Sequence, residues 1–550
     1  MSNVKFDKKE FEKEVKLTDE IIEKIPLFGT PLEKITEDEI EIEIFPNRPD
    51  ILSLQGYLRS FKAFLGKETG LKKYKTQKPD KEYKVKIDSS VKSVRPFTAC
   101  AIVKNLQLSD EKIKELIDLQ EKLHITIGRN RQKIAIGIYP LEKISLPIRY
   151  EARNPKEIKF IPLGETNVMD GNQILSKHPT GRDYAHLLQE KSIFPVFVDS
   201  KDNILSMPPI INSNDTGKVS VETKEVFIEC SGFHLETIQK TLNIIVTTLA
   251  EMGGKICQMS LDYSDKKLIT PDLSSEKIKI SLENVNSLLG LNLKEAEVQK
   301  LLSRMGHDYK NKSVEIAPWR TDILHEVDLI EDIAIAHGYE KLIPEMPSVS
   351  TIGEESLKAK IKSEIAEILT GLGLTEISAY HLIKKQEAEL NNLQDALELE
   401  NSKTEYKYLR PNLLTPALRI LSENKDNEYP QEIFEIGTVF TTEKRNKCET
   451  RVQENQNLAI LLTPSNITKI KQILDYLTKS IGLQYKIEEL NDPLSIEGRT
   501  ASIIIGGKPI GRMGELHPET LRSWGIKMPI SYLEISLEQL TPSWNQPEKD

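Results

Sequence analysis

The sequence has 550 residues, of which 38% are hydrophobic and 29% are charged, and its net charge is −9. This composition excludes wholesale disorder and a small basic nucleic-acid-binding module, and the length predicts roughly three to five domains. No stretch approaches about 20 consecutive apolar residues and no apolar segment follows the first lysines, so we expect a cytoplasmic protein without a membrane span or a secretory signal. The four cysteines form no Cys-x-x-Cys pair, which argues against a disulfide framework or a zinc site.

The first predicted domain, residues 1–70, contains a strand, a rigid turn and a helix. Residues 39–45 alternate charged and apolar side chains, a pattern typical of a strand with one buried face. The prolines of the next segment, PNRPD at 46–50, prevent a helix and predict an ordered turn. We expect Asp50 to cap the following helix. The apolar face of that helix comprises Leu54, Leu58, Phe61 and Leu65.

Residues 71–93 are rich in lysine and allow two interpretations. The segment could lie near a phosphate backbone, or it could be a solvated linker. We favour the linker, because lysine and isoleucine are abundant along the whole chain.

The second predicted domain, residues 94–269, mixes helices with strands. A helix is predicted over 110–124, and strands are predicted at KIAIGIYPL, residues 133–141, and at EVFIECSGF, residues 225–233. Between them, residues 206–220 are dense in proline, asparagine and serine, a composition typical of ordered turns. A helix closes the domain with four apolar residues on one face, which are Ile238, Leu242, Ile245 and Leu249.

The last two predicted domains are residues 270–345 and residues 346–550. The first carries two helical patterns, a strand at SVEIAPW and a helix over residues 320–339. The apolar stripe of that helix comprises Ile323, Val327, Ile330 and Ala334. The second alternates helices with strands, and its hairpin turn GGKPIG favours a mainly antiparallel sheet flanked by helices.

Three carboxylates share another face of the helix predicted over residues 320–339. Asp328, Glu331 and Asp332 are spaced i, i+3 and i+4, where like charges repel, and Asp322 adds a fourth oxygen donor near the helix start. Such a cluster suits a hard divalent cation, since Mg²⁺ prefers carboxylate oxygens. The alternative is that Asp322 caps the helix and the other three form a solvated acidic face near its N-terminus. The spacing alone leaves both interpretations open.

The sequence contains no motif for a nucleophilic or nucleotide-binding site, since GxSxG, HExxH, the P-loop and GxGxxG are all absent. His178, His186 and His234 are single histidines that we interpret as structural. A hydrolytic site built from backbone dipoles and an oriented water would leave little trace in the sequence.

Motifs along the whole chain resemble, in order, those of the β subunits of archaeal and eukaryotic phenylalanyl-tRNA synthetases. The segments that carry the resemblance are PNRPD with the IxSxxGxxR helix (46–59), GRNRQKIAIGIYPLEKI (128–144), HPTGRDYAHLL (178–188), LSMPPIINSNDTGKV (205–219), APWRTDILHEVDLIEDIAIAHGYEKL (317–342), LRPNLL (409–414), FEIGTVF (434–440) and MGELHP (513–518). Each motif is moderately specific by itself, and their shared order makes the resemblance specific.

The resemblance implies a multidomain α+β fold with a mixed α/β editing domain, a small helical metal-associated domain and a C-terminal class II synthetase-like domain. The last domain would have lost its chemistry, because LRPNLL offers Arg410 without the acidic partner of an active motif. An α subunit would then bind ATP, phenylalanine and the 3′ end of tRNA(Phe), and the family assembles as an (αβ)₂ heterotetramer. The implied activity is that of a phenylalanine–tRNA ligase.

The resemblance also assigns two sites by residue. The Mg²⁺ ligands of the family correspond to Asp322, Asp328, Glu331 and Asp332. The editing pocket, which would hydrolyse mischarged Tyr-tRNA(Phe), corresponds to Leu205, Ser213, Glu229 and Ser231. A second pocket of this kind is needed because an apolar synthetic pocket rejects an added hydroxyl only weakly.

The predicted hydrolytic strand departs from the family pattern. Where the family has Asp-x-Thr, this chain has Glu229, Cys230 and Ser231, which keeps a carboxylate and a hydroxyl two residues apart. The added methylene could move the carboxylate by about 1 Å, and a shift of that size can cost on the order of 10²-fold in rate. This change puts hydrolysis in question, but not aminoacylation.

A free-standing tRNA deacylase or tRNA-binding protein is the alternative interpretation. Such a protein would need no partner, whereas a large degenerate synthetase domain would serve no purpose in it. Solubility and activity without a co-expressed subunit would distinguish this alternative from a synthetase subunit.

Overall fold

The computed structural model describes residues 2–346, 352–400, 402–442 and 449–540. The chain divides into two compact units, residues 1–346 and residues 347–550. No helix within these described ranges has the length and apolar character needed to cross a bilayer. Three of the cysteines, Cys100, Cys230 and Cys257, are free and buried, and Cys448 lies outside the described residues.

The first unit begins with a three-stranded antiparallel sheet covered by helices, in the strand order β1-β3-β2. Its elements are β1 (Ser2–Asp7), α1 (Lys8–Glu14), α2 (Asp19–Leu27), β2 (Leu32–Ile35), β3 (Glu39–Ile44) and α3 (Leu54–Phe64). The strand predicted over residues 39–45 is confirmed, and its isoleucines are buried. The predicted cap of α3 is wrong. Ser53 caps this helix by accepting a hydrogen bond from Gly56 N at 3.1 Å, because Asp50 is engaged by Arg48 instead.

An 11-stranded sheet forms the centre of the first unit. Its main path runs β13-β12-β11-β8-β5-β15-β6-β14-β7, and β16 and β4 pair with β15. The elements are β4 (Thr76–Gln77), β5 (Lys84–Ile87), β6 (Phe97–Lys104), α4 (Asp110–Ile125), β7 (Ile134–Pro140), β8 (Ile148–Arg153), β9 (Lys159–Phe160), β10 (Met169–Asp170), α5 (Gly171–Lys177), α6 (Pro179–Asp183), β11 (Phe194–Val198), β12 (Ile204–Met207), β13 (Ile211–Asn212), β14 (Val226–Gly232), α7 (Leu235–Glu251), β15 (Lys255–Asp262) and β16 (Lys267–Thr270). The strands β9 and β10 form a separate pair. The apolar face predicted for the closing helix is buried in α7.

Part of the lysine-rich segment enters the central sheet, so the prediction of a solvated linker over residues 71–93 is wrong there. The strand β5 pairs in parallel with both β15 and β8. Its sequence KVKI alternates exposed lysines with the buried residues Val85 and Ile87, which is the pattern of a strand with one solvated face. The charge run masked this short alternation.

The first unit ends in a small module with a three-stranded sheet in the order β17-β19-β18 and three helices. Its elements are β17 (Glu276–Lys279), α8 (Leu282–Leu289), α9 (Glu295–Arg304), β18 (Asp308–Lys310), β19 (Ser313–Ile316) and α10 (Glu326–His337). The module is therefore mixed α/β, which corrects the prediction of a helical domain. The helix predicted over residues 320–339 begins only at Glu326, so Ile323 precedes it, and Val327 of the predicted apolar stripe is 52% exposed.

The second unit contains a seven-stranded sheet in the order β20-β23-β24-β28-β27-β26-β25. All of its strand pairs are antiparallel except β20 with β23, so the predicted antiparallel sheet is confirmed. The elements of the unit are α11 (Leu357–Gly371), β20 (Thr375–Glu376), β21 (Leu382–Lys384), α12 (Lys385–Leu390), β22 (Tyr406–Leu409), α13 (Leu414–Glu423), β23 (Gln431–Thr442), β24 (Val452–Thr463), α14 (Ile467–Ser480), β25 (Lys486–Glu489), β26 (Ser495–Ile505), β27 (Lys508–Leu516), α15 (Pro518–Ser523), β28 (Ser531–Ser536) and α16 (Leu537–Leu540). The strands β21 and β22 form a separate hairpin-like pair.

Candidate functional site

The strand β14 carries a carboxyl group into the interior of the first unit. It lies between β6 and β7, and its alternation places Glu229 and Ser231 on the same face of the sheet. Glu229 is opposite Cys100 on β6 and Gly137 on β7. Glu229 and Ser231 are only 1% and 0% exposed. A carboxyl at this depth is costly unless it is protonated or well paired.

The Glu229 carboxyl has one engaged oxygen and one free oxygen. Tyr139 on β7 lies with its hydroxyl 3.2 Å from Glu229 Oε1 and 3.2 Å from Asn212 Oδ1, so it can donate to either. Glu229 Oε2 accepts no hydrogen bond of standard geometry from any described residue. Burial raises the pKa of Glu229 to about 8, although Arg95, Tyr139 and Ser231 each lower it. The carboxyl is therefore mostly protonated at neutral pH.

Ser231 faces a buried arginine. Arg95 donates from Nε to Ser231 Oγ at 3.2 Å and from Nη2 to the Ser231 carbonyl at 2.8 Å. The Tyr150 hydroxyl on β8 donates to the Arg95 carbonyl at 2.8 Å and so connects the segment before β6 to β8. Burial lowers the pKa of Arg95 to about 10, which leaves the guanidinium charged at neutral pH. The Ser231 hydroxyl thus has a cationic donor beside it.

Leu205 and Ser213, the other two predicted pocket residues, lie on the neighbouring β12–β13 region and are buried. The Ser213 amide donates to the Leu205 carbonyl at 2.8 Å, which holds the two together. Leu205 belongs to the same hydrophobic cluster as Phe227 and Tyr139. The structure therefore links the two pairs of predicted residues through Tyr139, which contacts Glu229.

A cavity of about 100 Å³ opens beside these strands and is lined in part by Glu229, Ser206, Asn212 and Arg131. The Ser206 hydroxyl is buried near Tyr139 and makes no hydrogen bond of standard geometry with a described residue. The cavity thus presents two buried polar groups with unused hydrogen-bonding capacity. Such groups cost free energy unless a ligand or water pairs with them, so they favour a ligand that carries a polar tip.

The loop that leads into β7 has a strained backbone next to this cavity. Arg129, Asn130 and Arg131 adopt φ values of 46°, 53° and 64°, in the left-handed region that side chains with a Cβ rarely occupy. Arg131 is held by hydrogen bonds of 2.8 Å to the Ile210 carbonyl and of 2.8 Å to Glu121 Oε1. The loop therefore keeps an arginine at the cavity wall.

Sequence reasoning missed four residues of this arrangement, Tyr139, Ser206, Asn212 and Arg131. The signal for Tyr139 was the alternation of β7, because Gly137 and Tyr139 share a face with Glu229 once the two strands pair. Ser206 and Asn212 lie on the short strands β12 and β13, inside a segment whose composition predicted turns, and Arg131 lies in a turn, so the sequence did not specify where these side chains point.

The acidic residues near α10 have protein partners. Asp332 is buried, with its Oδ2 atom 2.7 Å from His307 Nε2 and 3.0 Å from Arg320 Nη1. Arg320 also makes a two-pronged contact with Asp322, from Nε and Nη2 at 2.8 Å each. Although burial opposes it, the charge of Arg320 and the contact with His307 lower the pKa of Asp332 well below its usual range. Asp322 is therefore an ion-pair partner and not the helix cap.

The other two predicted metal ligands also make contacts within the protein. Asp328 Oδ2 accepts hydrogen bonds from the Leu324 and His325 amides at 2.8 and 2.7 Å, and so satisfies donors at the start of α10. Glu331 accepts a hydrogen bond from the Tyr339 hydroxyl at 2.7 Å. Within the described ranges, no three His, Cys, Asp or Glu side chains are placed to hold a metal ion together. As arranged here, the four carboxylates do not fit a common cation.

The turn PNRPD lies near this network in the first unit. Arg48 makes a two-pronged contact with the fully buried Asp50, at 2.8 and 2.9 Å. The charges of Arg48 and Arg320 lower the pKa of Asp50 despite its burial, which shows that the two motifs are close in space. A groove of about 1250 Å³ lies between the turn and the acidic residues. Both line it, and so does Lys133.

In the second unit, Arg410 of LRPNLL is buried and fully engaged by the protein. It donates from Nη1 to Glu435 Oε1 at 2.7 Å and from Nε to the Thr438 carbonyl at 2.8 Å. The motif LRPNLL itself supplies no acidic partner to Arg410; in the structure that partner is Glu435, which the motif FEIGTVF supplies. This ion pair turns the arginine inward, where it holds β23.

Comparison with known proteins covers nearly the whole chain. Family models match residues 82–246 (B3/4 domain), residues 278–339 (tRNA synthetase B5 domain) and residues 343–537 (phenylalanyl tRNA synthetase beta chain CLM domain). The phenylalanine–tRNA ligase β subunit of Archaeoglobus fulgidus is 37% identical over 532 residues, which are 94% of this chain and 95% of that protein. The corresponding subunit of Pyrococcus furiosus is 38% identical over 505 residues, 90% of each chain.

The chain belongs to the phenylalanine–tRNA ligase β-subunit family. The chain is similar in fold to a crystal structure of an N-terminal fragment of the Pyrococcus horikoshii phenylalanyl-tRNA synthetase β subunit, with a TM-score of 0.59 and 36% identity. That match covers 61% of this chain and 99% of the fragment. The carboxyl of Glu229 lies within the B3/4 match of the family, and the network of Arg320 lies within its B5 match.

Proposed function

We propose that this chain is the β subunit of a phenylalanine–tRNA ligase, which together with an α subunit attaches phenylalanine to tRNA(Phe) with ATP. The observation that carries the proposal is the alignment with β subunits of this name along at least 90% of both chains. We expect an (αβ)₂ heterotetramer in the cytoplasm. The α subunit would bind ATP and the Mg²⁺ that accompanies it.

The second unit would serve as a scaffold without adenylation chemistry. A working class II site needs arginines that reach the phosphates of ATP. Arg410, the motif arginine of this unit, instead ends in a buried ion pair with Glu435. Because these contacts occupy the guanidinium inside the unit, it is not free to reach a phosphate, which supports a structural role for the unit.

The decisive experiment is phenylalanylation of tRNA(Phe) by this chain, by its α subunit and by the two co-purified. We expect activity only in the co-purified sample, because the chemistry lies on the partner. Activity of this chain alone would overturn the assignment. The assignment would also be overturned if the complex were inactive although the same α subunit is active with the β subunit of a relative. Soluble, partner-free deacylation of aminoacyl-tRNA would favour the free-standing deacylase.

The central sheet would also hydrolyse tRNA(Phe) that carries tyrosine in error. In this reaction a water oxygen adds to the ester carbonyl, the bond to the ribose oxygen breaks, and the ribose hydroxyl receives a proton as tyrosine leaves. The support for this role is the cavity beside Glu229, together with the Oε2 atom of that residue, which accepts no hydrogen bond of standard geometry from the described residues. A phenol hydroxyl can pair with that oxygen, and phenylalanine has no group that can do so.

Selectivity would follow from the cost of an unpaired polar group. A protonated carboxyl both donates and accepts hydrogen bonds, so Glu229 can pair with a phenol at neutral pH. A phenylalanyl group in the same place would leave the carboxyl and the Ser206 hydroxyl buried and unpaired, at a cost of roughly 1 to 3 kcal/mol for each group. That difference disfavours hydrolysis of correctly charged tRNA.

Glu229→Ala in the co-purified complex tests the hydrolytic role. We expect the rate of Tyr-tRNA(Phe) hydrolysis to fall at least 10²-fold, a loss on the scale that misplacing a catalytic group produces, with phenylalanylation unchanged. The exposed Glu222, which lies in the turn before β14, is replaced by Ala as the matched control. Equal hydrolysis by the Glu229 variant and the control would exclude this site.

The Mg²⁺ site at Asp322, Asp328, Glu331 and Asp332 stays a prediction that the family resemblance supports. In the arrangement described above, a cation that used all four carboxylates would have to take the place of Arg320 beside two of them.

A further inference from the structure

Tyr139 places a phenol hydroxyl against the carboxyl that would read the phenol of the substrate. The side chain is fully buried on β7, and its hydroxyl is 3.2 Å from Glu229 Oε1. The same hydroxyl is 3.2 Å from Asn212 Oδ1 and close to the Ser206 side chain. Three polar groups from three strand regions therefore meet at one tyrosine inside an otherwise apolar sheet.

The two oxygens of Glu229 differ in their surroundings because of this contact. Oε1 has Tyr139 beside it, whereas Oε2 is buried and accepts no hydrogen bond of standard geometry from the described residues. Glu229 lines the cavity, and so does Ser206, whose hydroxyl also makes no hydrogen bond of standard geometry with the described residues. A contact on only one oxygen gives the carboxyl a defined orientation and leaves the other oxygen available to a ligand.

The length of the Glu229 side chain makes such a contact necessary. Glutamate has one more rotatable bond than the aspartate of the family pattern. Its carboxyl can therefore adopt more rotamers, and fixing it in one orientation loses more side-chain entropy. A hydrogen bond from a fully buried tyrosine, whose ring packs against Phe227 with centroids 5.8 Å apart, limits those positions. Gly137 makes room for the pair, since a Cβ there would lie 2.1 Å from the Tyr139 hydroxyl.

We propose that Tyr139 is a positioning residue for hydrolytic selectivity: it holds Oε1 of Glu229 and so presents Oε2 to the phenol of a tyrosyl group esterified to tRNA. The inference rests on the proposed hydrolytic function of the central sheet and identifies what orients its discriminating group. Glu229 lines the cavity and Tyr139 is not among its lining residues, so Tyr139 would act through Glu229.

The test compares Tyr139→Phe with the unmutated co-purified complex, using Tyr-tRNA(Phe) as the substrate. We expect kcat/KM for hydrolysis to fall roughly tenfold or more, since losing the hydroxyl releases the carboxyl from its working orientation. Phenylalanylation should not change. Tyr57→Phe on α3 is the matched control, because it removes another fully buried phenol hydroxyl, which is hydrogen-bonded to Thr30 and does not line the cavity beside Glu229.

A pH profile separates positioning from a merely structural role. The groups that face Glu229 are Arg95, Tyr139 and Ser231, which lower its pKa, together with Cys100 and Tyr150, whose own pKa values its charge raises. Since the Tyr139 hydroxyl is one of the groups that lower the pKa of Glu229, its removal should move the inflection of the hydrolysis profile to higher pH. A variant that is only less stable would keep the inflection where it is.

A double-mutant cycle with Glu229→Asp completes the test. The shorter aspartate needs no anchor, so Tyr139→Phe should cost at least threefold less in the Asp background than in the Glu background. Equal costs in both backgrounds, an unchanged rate, or faster hydrolysis by Tyr139→Phe would overturn the proposal. If the unmutated complex charges tRNA but does not hydrolyse Tyr-tRNA(Phe), both the hydrolytic function and the positioning role fail. If it does hydrolyse and Tyr139→Phe changes nothing, only the positioning role fails.

Discussion

A carboxyl group buried in an apolar sheet titrates in a different pH range from one in water. Because Glu229 is such a group, the free energy of unfolding of the first unit should depend on pH. The pKa of Glu229 is raised to about 8 from an ordinary value of 4.5, chiefly by burial. Between these values the folded state keeps the proton while the unfolded chain has lost it. The free energy of unfolding therefore decreases as pH rises from about 4.5 to about 8, and levels off above that range.

We predict that Glu229→Gln removes part of this pH dependence. Glutamine keeps the shape of the side chain and cannot ionise, so the unfolding free energy should fall less between pH 5.5 and pH 8.5, by on the order of a few kcal/mol. Thermal or urea unfolding at the two pH values measures the effect, and Glu222→Gln is the exposed control. An identical pH slope in the variant and the unmutated chain would contradict the raised pKa.

At the residue scale, the sequence singled out Glu229 as the candidate carboxyl but not the groups that surround it. Glu229 and Ser231 could be assigned because the family resemblance is local and continuous along β14. Tyr139 could not, because its role depends on the register between β7 and β14, which is a long-range pairing. Arg410 shows the same limit, since its partner Glu435 is 25 residues away, on strand β23.

At the element scale, α10 begins later in the sequence than its apolar spacing predicts. The apolar spacing predicts a helix from about residue 320, yet the contacts of Arg320 with Asp322 hold the preceding segment in another conformation. Asp328 then accepts hydrogen bonds from the two amides before the helix. Periodicity reports which residues can face the core, whereas the first residue of a helix depends on which donors find partners.

We predict that, if Mg²⁺ binds beside α10, it raises the melting temperature of the chain more than NaCl of equal ionic strength. The double variant Asp328→Asn with Glu331→Gln should lose that rise, because amide oxygens carry no charge to attract the cation. Differential scanning fluorimetry of both proteins, with the exposed Glu283→Gln as control, measures it. The same rise in the double variant would remove these two carboxylates from the site.

At the scale of the whole molecule, each compact unit encloses its own hydrophobic cores. Four clusters lie within residues 2–346, and two lie within the described residues of the second unit. The order of motifs predicted a multidomain α+β chain, and the family comparisons and the several sheets agree with that coarse description. The predicted linker, residues 71–93, does not separate two domains, because the four-residue strand β5 within it joins the central sheet.

We predict that residues 1–346 fold by themselves. Their clusters need no residue from the second unit, and the related Pyrococcus horikoshii fragment that crystallised aligns with 61% of this chain. The fragment should unfold cooperatively, with a melting temperature within a few degrees of one transition of the full chain. Circular dichroism during heating measures this. A broad, non-cooperative transition with strong binding of a hydrophobic dye would show that the unit is not autonomous.

Gly137 has a consequence for how this family can change over time. A Cβ at this position would lie 2.1 Å from the Tyr139 hydroxyl and 2.6 Å from Glu229 Oε1, so neither neighbour could stay in place. Positions 137 and 139 therefore cannot change independently. A descendant that acquires alanine at 137 must first, or at the same time, lose or reorient the tyrosine at 139, because shortening Glu229 would not relieve the closer of the two contacts. We expect relatives with a side chain larger than hydrogen at 137 to lack tyrosine at 139, whichever carboxylate they carry at 229.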